Sequence, residues 1–122
     1  MATLDMFSND PSAQSFGPGE VIFAAGAPGK TMFVVIEGEV ELALPNDRVV
    51  ASLGPGDIFG EMALIDDKPR SATARAHTAV KVTPIDEKRF TYLVQNTPYF
   101  ALQVMRTMAH RVRSMNETLA PT

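Results

Sequence analysis

The sequence predicts a mainly β domain: an antiparallel β-roll of jelly-roll type with flanking helices, followed by a C-terminal helical segment. Three observations carry this. From Gly19 to about Asp86 the apolar runs are short and evenly spaced, with Gly or Pro between them. Glycines recur at positions 17, 19, 26, 29, 38, 54 and 56, where a rolled sheet is expected to turn its corners at positive φ. Beyond Asp86 the apolar period lengthens from that of a strand to that of a helix. A chain of 122 residues and 13.2 kDa is sized for one domain over residues 1–122.

Residues 1–18 form a polar, turn-rich N-terminal segment in which Asp10 as cap and Pro11 in the first turn predict a short helix. The roll occupies residues 19–85. Residues 20–23 and 31–36 are its first strands. Residues 39–44 alternate polar and apolar, as a half-buried strand does. Pro45-Asn46-Asp47 turns the chain into a strand over 48–53, and Gly54-Pro55-Gly56-Asp57 turns it again. Residues 72–76 and 80–84 read as two more strands. The C-terminal helices occupy residues 86–119. Asp86 caps a helix to about Asn96, and Thr97-Pro98 opens a second that reaches Leu119. In that last helix Ala101, Met105, Met108, Val112, Met115 and Leu119 follow a heptad spacing. Spacing alone leaves two readings open: core packed on the roll, or a dimer helix.

Composition narrows the function classes. The net charge is -3, so bulk charge gives nucleic-acid binding no support. No cysteine is present, which excludes disulfides, thiolate catalysis and thiolate-bound zinc and is compatible with a cytoplasmic location. The N-terminus lacks the basic-then-apolar pattern of a signal peptide. The longest strongly apolar run, residues 32–36, is too short to span a bilayer. A cupin-type metal centre would need two or three histidines at ligand spacing, and only His77 and His110 occur. The chain therefore reads as non-catalytic.

One window concentrates binding chemistry. Phe59-Gly60-Glu61-Met62-Ala63-Leu64 places a glycine and a carboxylate at the mouth of a short helical turn, and Pro69-Arg70-Ser71-Ala72-Thr73 follows. A helix start offers unpaired N–H donors to an anion. Gly60 admits a ligand to the backbone, Arg70 brings forked donors that match phosphate oxygens, and Ser71 adds a hydroxyl. Glu61 is suited to accept from a ligand hydroxyl. Singly, each has a plain alternative: a corner glycine, a surface ion pair, a strand serine. Together they suit a small ligand that carries both a phosphate and a sugar.

These two segments closely resemble the phosphate-binding cassette, here residues 59–73, of cyclic-nucleotide-binding domains. Such domains occur in bacterial catabolite activators, protein kinase regulatory subunits and cyclic-nucleotide-gated channels. The likeness extends to residues 16–23, similar to the family's lead-in to the roll, and to residues 32–42, similar to its central hairpin. Residues 102–119 are similar to the long C-terminal helix of the activator branch. The resemblance implies that Arg70 pairs with the cyclic phosphate and Ser71 donates to it. It implies that Glu61 accepts from the ribose 2′-hydroxyl and that N–H groups from Gly60 to Met62 complete the cradle. Ala63 and Leu64 close the short helix against the roll. The base is expected where Met115 and Asn116 align, with Asn116 on a purine edge. Met115 is apolar where the activator branch uses a polar contact, and Ser71 in place of alanine suits a guanine amino group. Cyclic AMP is the ligand implied ahead of cyclic GMP, with no other cofactor.

The activators continue into a helix-turn-helix domain, and this chain ends at Thr122. The expectation is a sensor module without an effector domain, which signals through movement of its C-terminal helix. A homodimer through that helix and a protein effector are its implied partners, with neither DNA nor membrane bound by this chain. The alternative is a dimerisation or docking domain of the same fold that needs no nucleotide, against which the retained Arg70 argues.

Overall fold

The computed structural model describes residues 6–66 and 68–119, with side chains in the last helix described as far as Arg113. The chain divides into two compact units between Lys88 and Arg89. The first holds two four-stranded antiparallel sheets. One has the order β1 (Gln14–Phe16), β8 (Val80–Asp86), β3 (Thr31–Glu37), β6 (Ile58–Phe59). The other has the order β2 (Val21–Phe23), β7 (Thr73–Ala76), β4 (Val40–Ala43), β5 (Val49–Leu53). A short helix, α1 (Met62–Ile65), lies between β6 and β7. This is the expected roll.

Its core draws on both sheets. Phe33, Val35, Phe59, Val80 and Val82 come from the first, and Val40, Leu53, Ala74 and Ala76 from the second. Strand β4 alternates from Val40 to Leu42, with Val40 buried, Leu42 packed on the core and Glu41 on the opposite face, before the register shifts at Ala43. β3 does not alternate: Met32, Val34 and Ile36 are buried along with Phe33 and Val35. Burial on both faces is why residues 32–36 read as a continuous apolar run.

Two expectations give way here. Asp10 caps no helix. Its carboxylate accepts from the Ser12 N–H at 3.1 Å and the Ser12 hydroxyl at 2.8 Å. It also accepts from the fully buried Thr83 hydroxyl at 2.8 Å, so its oxygens are spent on its own turn and on β8. The chain then forms β1, whose three residues pair with Val82, Lys81 and Val80. A Gln-Ser-Phe strand is too short and too polar to show periodicity. The glycines also sort differently. Gly19, Gly26, Gly38 and Gly56 have positive φ as expected, while Gly17, Gly29 and Gly54 do not.

The helices α2 (Glu87–Asn96) and α3 (Pro98–Leu119) match the helical period closely. Within the second unit the Phe90 and Phe100 rings meet edge-on at 5.9 Å. Among the described side chains of α3, Phe100 and Val104 are the buried apolar ones. Of the heptad stripe, Met105 is 59% and Val112 56% exposed, Ala101 and Met108 are half-buried, and the side chains of Met115 and Leu119 lie outside the described residues. Among the described residues no helix is long and apolar enough to cross a membrane.

Candidate functional site

Strand β6 pairs with β3 through Phe33–Phe59 and Val34–Ile58, then stops at Gly60. Gly60 has φ 75°, a conformation in which a side chain is strained. The next residue, Glu61, is the N-cap of α1 at φ -64° and ψ -28°, and its side chain does not cap the helix. Glu61 is nevertheless buried, with 3% of its surface exposed. The Ala63 N–H donates to the Gly60 carbonyl at 3.3 Å and the Leu64 N–H to the Glu61 carbonyl at 3.1 Å. Ala63 is itself buried, and α1 lies against β3. Ala63 therefore serves the turn and its packing, while Met62 is 47% exposed beside it.

Arg70 is fixed twice. Its backbone is stitched to the β2–β3 connection: the Arg70 N–H donates to the Ala27 carbonyl at 2.9 Å, and the Gly26 N–H donates to the Arg70 carbonyl at 2.7 Å. Its side chain turns inward and is 8% exposed. Nη1 donates to the Gly60 carbonyl at 3.1 Å and Nη2 to the Thr31 carbonyl at 2.7 Å. The guanidinium carbon lies 4.1 Å from the Phe23 ring centroid and 6.0 Å from that of Phe33. Nε is buried without a hydrogen bond. Burial pushes the Arg70 pKa below its ordinary value, and no carboxylate pairs with it among the described residues. A buried cation held by carbonyl oxygens, with one donor unspent, has the chemistry to receive an anion.

Gly60, Glu61 and Arg70, separated in sequence, thus meet in one place: Arg70 bonds the carbonyl of the residue preceding Glu61. Ser71 follows directly and is exposed, in a bend that precedes β7. Met115 and Asn116 belong to α3, but their side chains lie outside the described residues. Three neighbours of Arg70 were not singled out from the sequence: Phe23, Gly29 and Thr31. A Cβ built at Gly29 would stand 2.7 Å from Arg70 Nε and Nη2, so a side chain here would displace the guanidinium. Nothing in a Gly/Pro-rich connection distinguishes that role from a corner. His77 takes up a different partner, its Nδ1 lying 2.8 Å from Glu41 Oε1.

The comparisons with known proteins agree on one family. The sequence matches the cyclic nucleotide-binding domain family over residues 13–97. It is 31% identical over 109 residues to the CRP-like cAMP-activated global transcriptional regulator of Mycobacterium tuberculosis, covering 86% of this chain and 49% of that protein. It is 38% identical over 86 residues to the cAMP-dependent protein kinase regulatory subunit of Dictyostelium discoideum, covering 65% of this chain and 26% of that one. Among solved structures, the Thermus thermophilus catabolite activator protein superposes with a TM-score of 0.81 at 28% identity, over 97% of this chain and 57% of that chain. The chain thus spans about half or less of the length of these curated relatives.

Proposed function

This chain belongs to the cyclic nucleotide-binding domain family, and on that premise we propose that it is a non-catalytic sensor module in which a cyclic nucleotide completes the Arg70 niche. One observation carries the reading. Arg70 is a buried guanidinium with no carboxylate partner among the described residues and with Nε unspent, beside the Gly60–Glu61 turn. The cyclic phosphate would supply an anion to this guanidinium. Ser71 adds its hydroxyl to the phosphate, the N–H groups from Gly60 to Met62 close the cradle, and the Glu61 carboxylate accepts from the ribose 2′-hydroxyl. Placing a carboxylate so near an anion site is unfavourable unless the ligand brings a hydroxyl to it. Glu61 thereby discriminates a ribose from inorganic phosphate.

Cyclic AMP is the favoured ligand, supported by relatives that are named for it. Asn116 and Met115 are the residues proposed to meet the base. The output is a movement of α3, and the ligand shifts that helix only as far as its affinities for the two arrangements differ. Exposed Leu102, Met105 and Val112 on α3 support a homodimer through this helix, with a protein effector downstream, in a cytoplasmic setting without DNA or membrane contact by this chain.

Titration calorimetry with cyclic AMP and cyclic GMP, on the parent protein and on Arg70→Ala, tests the reading. Binding to the parent that collapses in the variant is expected. Binding that survives the substitution undiminished would sink the role given to Arg70, and no binding of either nucleotide would favour the docking-domain alternative.

A further inference from the structure

Two carbonyl bonds hold Arg70 by Nη1 and Nη2, yet two points fix only an axis, about which a planar guanidinium remains able to tilt. Two neighbours bear on that tilt. The Phe23 ring centroid lies 4.1 Å from the guanidinium carbon. That ring is itself held by Phe33 and Phe59, each with its centroid 5.9 Å away. The second neighbour is Gly29, where a Cβ would stand 2.7 Å from Nε, 2.7 Å from Nη2 and 2.9 Å from Cζ. The space beside the Nε–Nη2 edge therefore exists because residue 29 has no side chain. Gly29 does not have positive φ. A methyl there is acceptable to the backbone, and the strain of adding one falls on the flexible end of Arg70.

We propose that Phe23 and Gly29 are positioning residues for Arg70: the ring fixes the plane of the guanidinium, and the bare glycine keeps its Nε–Nη2 edge open for the incoming anion. The proposal rests on the reading of Arg70 as the partner of the phosphate. It assigns affinity to two residues of β2 and the β2–β3 connection that act only through another side chain.

The test uses Phe23→Leu, Phe23→Tyr and Gly29→Ala, each with Arg70 retained and with Arg70→Gln. Two readouts are taken: the Arg70 Nε–H resonance in ligand-free protein, and displacement of a fluorescent cyclic AMP analogue. In the parent, the resonance is expected to be shifted by the Phe23 ring and to exchange slowly with solvent. Phe23→Leu should abolish that ring shift and weaken cyclic AMP binding roughly three- to thirtyfold, the scale of a desolvated cation–π contact. Phe23→Tyr keeps the ring and should restore both. Gly29→Ala should move the resonance and weaken binding by about tenfold or more, the scale of crowding a well-packed site. With Arg70→Gln in place, neither substitution should weaken binding further, which a merely structural role would not predict. The proposal is overturned if Phe23→Leu and Gly29→Ala leave the resonance unmoved, or if their penalties persist in full without Arg70. Should the parent bind neither nucleotide, the sensor reading fails, and the resonance alone decides whether these residues hold Arg70.

Discussion

Arg70 and Arg75 stand five positions apart on the same stretch of chain, and the roll uses them in opposite ways. Arg75 lies on β7 directly opposite Glu41 of β4, on the face of the sheet turned away from the core. It reaches Glu41 and Asp47, each at 3.7 Å, with 29% of its side chain exposed, and the same Glu41 also holds His77. Arg70 is buried, contacts carbonyl oxygens and an aromatic ring, and keeps a donor in reserve. An exposed charge with carboxylates at hand is spent on the scaffold and contributes little. A buried charge with none costs stability, and an anion beside it would offset that cost. Burial without a carboxylate partner among the described residues sets Arg70 apart from the surface network of Arg75, although both are built from the same residue type.

Removing each arginine in turn is the sharpest way to break this contrast. Arg70→Ala should cost roughly 2–5 kcal/mol of cyclic AMP affinity by calorimetry, the scale for truncating a buried charge contact. Arg75→Ala should leave the affinity unchanged within twofold, and equal losses would erase the distinction. Ligand-induced stabilisation comes next. A free nucleotide concentration 100-fold above the dissociation constant adds about 2.7 kcal/mol, or roughly 10 °C in melting temperature for a domain of this size. Arg75→Ala should retain that shift and Arg70→Ala should abolish it. Gly60→Ala introduces a side chain at φ 75° and 2.9 Å from Arg70 Nη1, and urea unfolding should register a loss of about 1–2 kcal/mol. The smallest effect belongs to the surface network. Arg75→Ala should lower stability by under about 1 kcal/mol, and the loss should shrink further as salt rises.

The roll was legible because its punctuation is chemical: a Gly or Pro lies within two residues of both ends of β3 and β4, of the start of β2 and of the end of β5. Strand β1 was not, since three residues carry no period and their strand character comes from β8. Asp10 misled because capping and turn-forming aspartates look alike until the partner, Thr83, is brought 73 positions across the chain. The site divides in the same way. Gly60, Glu61 and Arg70 fall in one short window and could be read together. Thr31 and Phe23 reach Arg70 only through the fold, Thr31 from 39 positions away, and residues of ordinary strand type give no local sign of such contact. Gly29 reads as a corner because a glycine that leaves room for a neighbour and one required for φ are the same letter.

The reciprocal backbone bonds between Arg70 and the Gly26–Ala27 pair have a consequence for descent. They hold the main chain at position 70 whatever side chain it carries, since neither bond involves the guanidinium. A lineage can therefore exchange this arginine while these two bonds keep the loop on its course, at the cost of the guanidinium bonds to the Gly60 and Thr31 carbonyls. Under the role proposed for Arg70, such a copy loses recognition before it loses its loop, and is free to drift and be recruited to other work.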